Sequence, residues 1–236
     1  ATVPSVNAFA RVTKHPSAIL LGVQLLSVMA YPFMEDTAVG RAAFGVLGVV
    51  VLGVAVWAVR ASPALTWVAG LLGVPVVVLT ILEGMWPHNS DIHLVSGILH
   101  AAFYAYTAYA MLRYLLADTR ITADELFAVG AAFTVVAWFF AYVYGVVQIL
   151  APGSFTAYAN PAEPRSWMEL LFLSFTVLTS TGLSDVTPVL GHARAVVMLE
   201  QVTGLMYVAL VVSRAVGLTL NPAVRAAEHS AGNDND

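Results

Sequence analysis

The sequence predicts an all-α integral membrane protein with six transmembrane helices and one shorter helix that enters the membrane and turns back as a loop. Three observations carry this expectation. Mean hydropathy is +0.82. Hydrophobic residues make up 59% of the 236 positions and charged residues only 10%, against about a quarter charged in soluble domains. The apolar residues also fall into six runs long enough to cross roughly 30 Å of hydrocarbon, and between the last two lies a shorter run that ends in a hydroxyl-rich turn.

Composition excludes several classes of function. A net charge of −4 spread through the connections gives no basic surface for nucleic acid. The chain has no cysteine, which removes disulfides, thiolate metal sites and thiol nucleophiles together. Its only lysine is Lys14, ahead of the first apolar run. A retinal Schiff base needs a lysine within a helix, so a rhodopsin is excluded.

Residues 1–16 carry Arg11, Lys14 and His15 and read as a cytoplasmic lead. The first span is 17–34, with Pro32 near its end, and Glu35 and Asp36 close it. The second, 41–59, contains Gly45, Gly48 and Gly53, small residues that allow close helix approach. The stretch 60–63 turns the chain into the third span, 64–82, where Pro75 predicts a kink. A polar connection over 83–91 holds Trp86 and His88 at the interface. The fourth span, 92–116, is aromatic through Phe103, Tyr104, Tyr106 and Tyr109, which read as packing. Thr122 and Glu125 offer a capping box for the fifth span, which ends near Leu150. The 151–164 segment is polar and rich in proline and glycine, a turret-like loop. The sixth span covers 192–220, Asn221-Pro222 breaks it, and the tail to Asp236 is expected to be disordered.

The organising stretch is 166–188. Ser166 and Glu169 form a capping box, so a helix starts near Trp167 and runs to about Leu178. Thr179, Ser180, Thr181, Gly182, Leu183, Ser184 and Asp185 follow and cannot continue it. Non-helical backbone at membrane depth is tolerated only where protein buries it or where it lines a water-filled path. The loop is therefore a pore candidate.

These residues resemble the selectivity-filter loop of tetrameric P-loop cation channels of the potassium-channel type. Their pattern is Thr-Thr-Val-Gly-Tyr-Gly-Asp, then a hydrophobic residue, Thr and Pro. Thr179, Gly182, Asp185, Thr187 and Pro188 agree with it, and Ser180 keeps a hydroxyl. Thr181 replaces the valine, Leu183 the tyrosine and Ser184 the second glycine. Gly204 falls where such channels have an inner-helix glycine, their gating hinge; a plain packing role is the alternative. The resemblance covers roughly 124–220 and implies a prokaryotic, six-helix homotetramer in the lipid bilayer.

It also implies roles for the loop residues. Monovalent cations, bound K+ first among them, would be held at Ser180, Thr181, Gly182 and Leu183, with Asp185 at the outer mouth; no other cofactor is expected. A filter glycine commonly has positive φ, so Ser184 implies a remodelled outer filter. The domain reading is 1–16 cytoplasmic segment, 17–117 four-helix transmembrane domain, 118–220 pore domain and 221–236 tail. Placing both termini in the cytoplasm of a cell (inner) membrane puts seven of the ten basic residues inside and three, Arg41, Arg165 and Arg194, outside.

Two readings from other classes stand beside this one. His93 and His100, seven residues apart on one helix face, could serve a haem or redox protein built on the first four helices, or a pH switch. The chain could also be a non-conducting scaffold or a transporter with a pore-like loop. An enzyme is not expected. Glu169, Glu200 and Arg214 are charges within or bordering spans and so functional candidates. The fourth span has Arg113 and no repeated arginines. One charge crossing the field contributes about 2.3 kcal/mol per 100 mV, so no strong intrinsic voltage dependence is expected. A conductance–voltage curve steep enough to require many elementary charges would refute that.

Overall fold

The computed structural model describes residues 15–34, 38–59, 66–87, 89–117 and 123–233. Their backbone is mainly helical. In chain order the helices are α1 (Pro16–Met34), α2 (Ala38–Val59), α3 (Thr66–Met85), α4 (Ser90–Ala117), α5 (Ala123–Leu150), α6 (Trp167–Leu178) and α7 (Gly191–Asn233). Strands β1 (Phe155–Ala157) and β2 (Val186–Pro188) pair antiparallel on either side of α6, with Phe155 opposite Pro188 and Ala157 opposite Val186. The lead segment 1–14, the 60–63 turn, His88 and Thr122 of the second expected capping box lie outside the described residues.

By length and apolar composition, four helices among the described residues can cross a membrane: 16–33 of α1, 67–85 of α3, 124–150 of α5 and 191–214 of α7. The chain is thus a multi-pass membrane protein. The fourth expected span forms one helix, but Asp91, His93, Ser96, His100 and Thr107 lower its hydropathy. Asn89 starts it by accepting the Asp91 and Ile92 N–H groups at 3.0 and 3.2 Å, an N-cap that the sequence reading missed.

The bundle is built around α5. Some 56% of its span is buried, compared with 17–22% for the other three, because α1, α4, α6 and α7 all pack against it. Its buried face repeats small and large residues, including Ala128, Ala131, Val135, Trp138 and Tyr144. Gly48 and Gly53 do not bring α2 close to a neighbour, for a β-carbon on either meets nothing within 4 Å. The buried face of α2 is Val51, Leu52 and Ala55 instead.

The last helix departs from expectation. Backbone helix continues through Asn221 and Pro222 to Asn233, where a break and a disordered tail are predicted from the sequence. Proline removes one ladder hydrogen bond and crowds the preceding turn, which bends a long helix without necessarily ending it.

At the expected cytoplasmic end, Asp124 gathers three helices. It accepts the Ser17 N–H at 3.2 Å and the Ser17 hydroxyl at 2.9 Å from the start of α1, and the Tyr114 hydroxyl at 3.1 Å from α4. Arg214 of α7 reaches Glu125 at 3.4 Å, so its partner lies within the protein rather than in lipid headgroups. Replacing Asp124 by alanine should destabilise the bundle by about 1–3 kcal/mol, since buried donors lose their acceptor. Thermal unfolding in lipid nanodiscs measures this, and an unchanged midpoint would show that the cluster contributes nothing net.

Candidate functional site: the re-entrant helix and its loop

The short helix α6 starts where the capping box predicts. The Ser166 hydroxyl accepts the Glu169 N–H at 3.3 Å, and the Glu169 carboxylate accepts the Ser166 N–H at 2.6 Å. Glu169 also receives Arg165 Nη1 at 3.1 Å. The Arg165 side chain is wholly buried and donates to the Asn160 side chain at 2.7 Å, to its carbonyl at 2.6 Å and to the Glu163 carbonyl. Gln148, in the last turn of α5, grips the Arg165 backbone at both its N–H and its carbonyl, at 2.7 and 2.9 Å. The 160–165 loop is thereby fastened to α5 and to the head of α6.

At its other end α6 closes in a Schellman motif. Thr179 is the C-cap, the Ser180 N–H donates to the Val177 carbonyl at 3.0 Å and the Thr181 N–H donates to the Thr176 carbonyl at 3.0 Å. The Gly182 N–H joins the same carbonyl at 3.2 Å. The motif requires a left-handed residue after the cap, and Ser180 takes it with φ 58°. A left-handed non-glycine residue costs about 1–2 kcal/mol. Gly182 is left-handed too, at 66°.

Among the described non-glycine residues Ser180 has positive φ and Ser184 does not. The Ser184 hydroxyl instead accepts the Val186 N–H at 3.1 Å, a local turn that leads into β2. The backbone strain therefore lies at the helix cap and not at the loop's outer end.

The proposed filter residues are contiguous and open in the single chain. Thr179, Ser180, Thr181, Gly182, Leu183 and Asp185 are exposed, with Ser184 half-buried. The Thr179 and Thr181 hydroxyls lie 3.0 Å apart, and Thr179 also donates to the Phe175 carbonyl at 2.7 Å. The amides of residues 179–182 are all used by carbonyls of 175–177. No hydrogen bond among the described residues ends on a carbonyl of 180–183. The loop thus spends its donors inward and retains its acceptors. Beyond it, the β1–β2 pairing and the Val189 N–H bond to the Ser154 carbonyl at 2.8 Å tie its exit to the 151–164 loop.

Gly204 meets the end of α6. A β-carbon there would lie 2.9 Å from Leu178 Cα and 3.0 Å from its carbonyl carbon, with the carbonyl oxygen nearer still. All three are backbone atoms and cannot rotate away. Gly204 is a close-packing glycine between α7 and α6. One turn earlier on the same face, Glu200 is fully buried and receives the hydroxyls of Ser174 from α6 and Tyr144 from α5. Glu200 stood out as a charge in an apolar span, but Ser174 and Tyr144 carried no signal, because partners across helices are visible only once the helices pack.

His93 and His100 face different partners. His93 lies 3.2 Å from Glu83 through Nδ1 and 3.0 Å from the Pro87 carbonyl through Nε2. His100 meets Ser96 through Nδ1 at 2.9 Å and Thr80 through Nε2 at 3.4 Å, and its ring stacks on Tyr142 at 4.4 Å. Every ring nitrogen of the two has a polar neighbour within 3.4 Å.

Comparison with known proteins reaches the second half of the chain. Residues 131–220 match a family model described as an ion channel. That stretch runs from within α5 through α6 and its loop into α7, less than half of the chain, and α1–α4 lie outside it. No curated protein and no solved structure matches the chain.

Packing at Gly204 should show in stability. Gly204→Ala forces the inner helix away from Leu178 and is expected to destabilise by about 1–3 kcal/mol, the usual range for overpacking. Gly53→Ala, where the new carbon meets open space, should stabilise by roughly 0.5–1 kcal/mol through helix propensity. Unfolding midpoints of both in the same detergent test this, and equal shifts would remove the close-packing role.

Proposed function

We propose that the chain is one subunit of a homotetrameric channel for monovalent cations, potassium first among them. The single observation that carries this is the loop at 179–185: it follows a capped short helix, the amides of 179–182 are taken up by carbonyls of α6, and the carbonyls of 180–183 accept no hydrogen bond among the described residues. The ion-channel match over 131–220 supports the same conclusion. In this reading α1–α5 and α7 are the six spans and α6 is the pore helix.

A cation crossing a narrow passage sheds water, and the protein must replace the lost ligands with oxygens. The carbonyls of Ser180, Thr181, Gly182 and Leu183, with the Ser180 hydroxyl at the inner end, serve that purpose. One loop cannot surround an ion, but four copies about an axis close a ring. The C-terminal, partly negative end of α6 favours a cation in the cavity below the loop. Four copies of Asp185 at the mouth raise the local cation concentration. The apolar flank of α7, exposed in one chain at Met198, Leu199, Val202, Leu205 and Met206, is available to neighbouring subunits and lipid. Gly204, where α7 touches α6, is the hinge of this reading.

Selectivity turns on Leu183 and Ser184. Leucine offers no hydroxyl to hold the loop's outer half against α6, and its side chain is 78% exposed. The outermost ion site is therefore remodelled relative to the family pattern, while the inner sites keep their oxygens. With purified protein in planar bilayers, potassium on one side and sodium on the other, the reversal potential should lie close to the potassium equilibrium value. Clear currents reversing near zero would make the pore non-selective. Silence that persists after substitutions around Gly204 designed to open the inner helix would refute the channel.

A further inference from the structure

Glu200 sits between two hydroxyls from neighbouring helices. Oε1 faces the Ser174 hydroxyl on α6 and Oε2 faces the Tyr144 hydroxyl on α5. Ser174 Oγ also lies 2.9 Å from the Ala137 carbonyl. A serine hydroxyl has one hydrogen and cannot donate to both oxygens. If Glu200 is ionised, Ser174 must turn its hydrogen to the carboxylate and abandon Ala137, and a full negative charge sits buried. Among the described residues the ion pairs are His15–Asp124, His93–Glu83, Arg165–Glu169 and Arg214–Glu125, and none includes Glu200. If Glu200 is neutral, its Oε1 hydrogen goes to Ser174 Oγ, Ser174 donates to Ala137, and Tyr144 donates to Oε2. Each hydrogen is then used once and each oxygen has a partner, which avoids the penalty of an unpaired buried charge.

Of the elements packed around Glu200, α5 contributes Tyr144, while its Glu125 is bonded to Arg214 at the far end of α7. The charged residues of α6 and its lead, Glu169 and Arg165, are bonded to each other. On α7 itself His192 is exposed, Arg194 is exposed and donates to the Pro188 carbonyl at 3.4 Å, and Tyr207 donates to the Val129 carbonyl.

We propose that Glu200 is a positioning residue, a neutral hydrogen-bonded latch that seats the inner helix α7 on the re-entrant helix α6 and releases it on deprotonation. Glu200 and Gly204 lie one turn apart and touch α6 at Ser174 and Leu178, so the latch and the close backbone contact act on the same seam. Loss of the proton places a charge in that seam and loosens the support of the 179–185 loop. The consequence for ion flow, though not the latch itself, rests on the reading of that loop as a conduction path.

The test uses the full chain in lipid nanodiscs and vesicles. Infrared spectra at neutral pH should contain a protonated-carboxyl band that Glu200→Gln abolishes and Ser174→Ala shifts, since serine is the group the acid donates to. Glutamine can make the same bonds without ionising. Raising the pH should therefore speed amide exchange in α6 of the wild type by about tenfold, after correction for intrinsic rates, and leave Glu200→Gln protected. Rubidium efflux from vesicles should change with pH in the wild type and not in Glu200→Gln. If the glutamine variant does not fold, alkaline titration of the wild-type band and its shift in Ser174→Ala still decide the protonation state. Absence of a Glu200-dependent band at neutral pH, or α6 exchange equally pH-sensitive in both proteins, would overturn the latch. A band and exchange that behave as expected, with no efflux at any pH even after the opening substitutions around Gly204, would uphold the latch and refute the pore.

Discussion

Polar backbone in an apolar surrounding has to find its partners within the chain, and the second half of this protein is arranged around meeting that demand. The re-entrant helix is only twelve residues long, so a large share of its backbone groups belongs to its two ends. At the start, Ser166 and Glu169 satisfy two N–H groups and Gln148 holds the residue before the cap. At the finish, a single carbonyl, that of Thr176, collects the amides of Thr181 and Gly182. The left-handed serine follows from this arrangement. A chain that must fold back on its own helix end needs positive φ after the cap, and about 1–2 kcal/mol of strain at Ser180 is offset by the amides it brings home.

Satisfying donors inward leaves an asymmetric loop. The N–H groups of 179–182 bond to α6, the carbonyls of 180–183 have no partner among the described residues, and the Thr179 and Thr181 hydroxyls lie together. Such a stretch keeps oxygens unpaired where its first amides are spent, independently of any net charge. Local helix-capping chemistry thus has an electrostatic consequence.

Besides the Asp124 cluster, aromatic packing joins α4 to this unit. His100 of α4 stacks on Tyr142 of α5 at 4.4 Å, Tyr142 lies 5.8 Å from Trp167 at the first position of α6, and Trp138 meets Trp167 edge-on at 5.3 Å. Rings in these geometries add roughly 0.5–1.5 kcal/mol per pair beyond their buried area. The head of the re-entrant helix is therefore seated partly by residues outside the ion-channel match. The aromatic residues of α4 at 103 and 104 are buried packing, as their spacing implied, while Tyr109 is exposed beside Arg113.

Much of this could be read from sequence because it is local. Hydropathy determined the long helices, the Ser166–Glu169 spacing determined where α6 begins, and the hydroxyl run determined where it ends. Those signals act within one turn of chain. The left-handed Ser180 is local too, because the cap bonds around it reach only to Val177 and Thr176; what tertiary structure decided is of longer range. It alone decided that Glu200 meets Ser174 and Tyr144, that Asp124 meets Ser17, and that Gly204 lies against Leu178. Those partners are 26, 56 and 107 residues away for the hydrogen-bonded pairs, and no periodicity spans such distances. A membrane helix advertises its apolar length along the chain, whereas the few polar groups it buries acquire their chemistry only from the helices beside them.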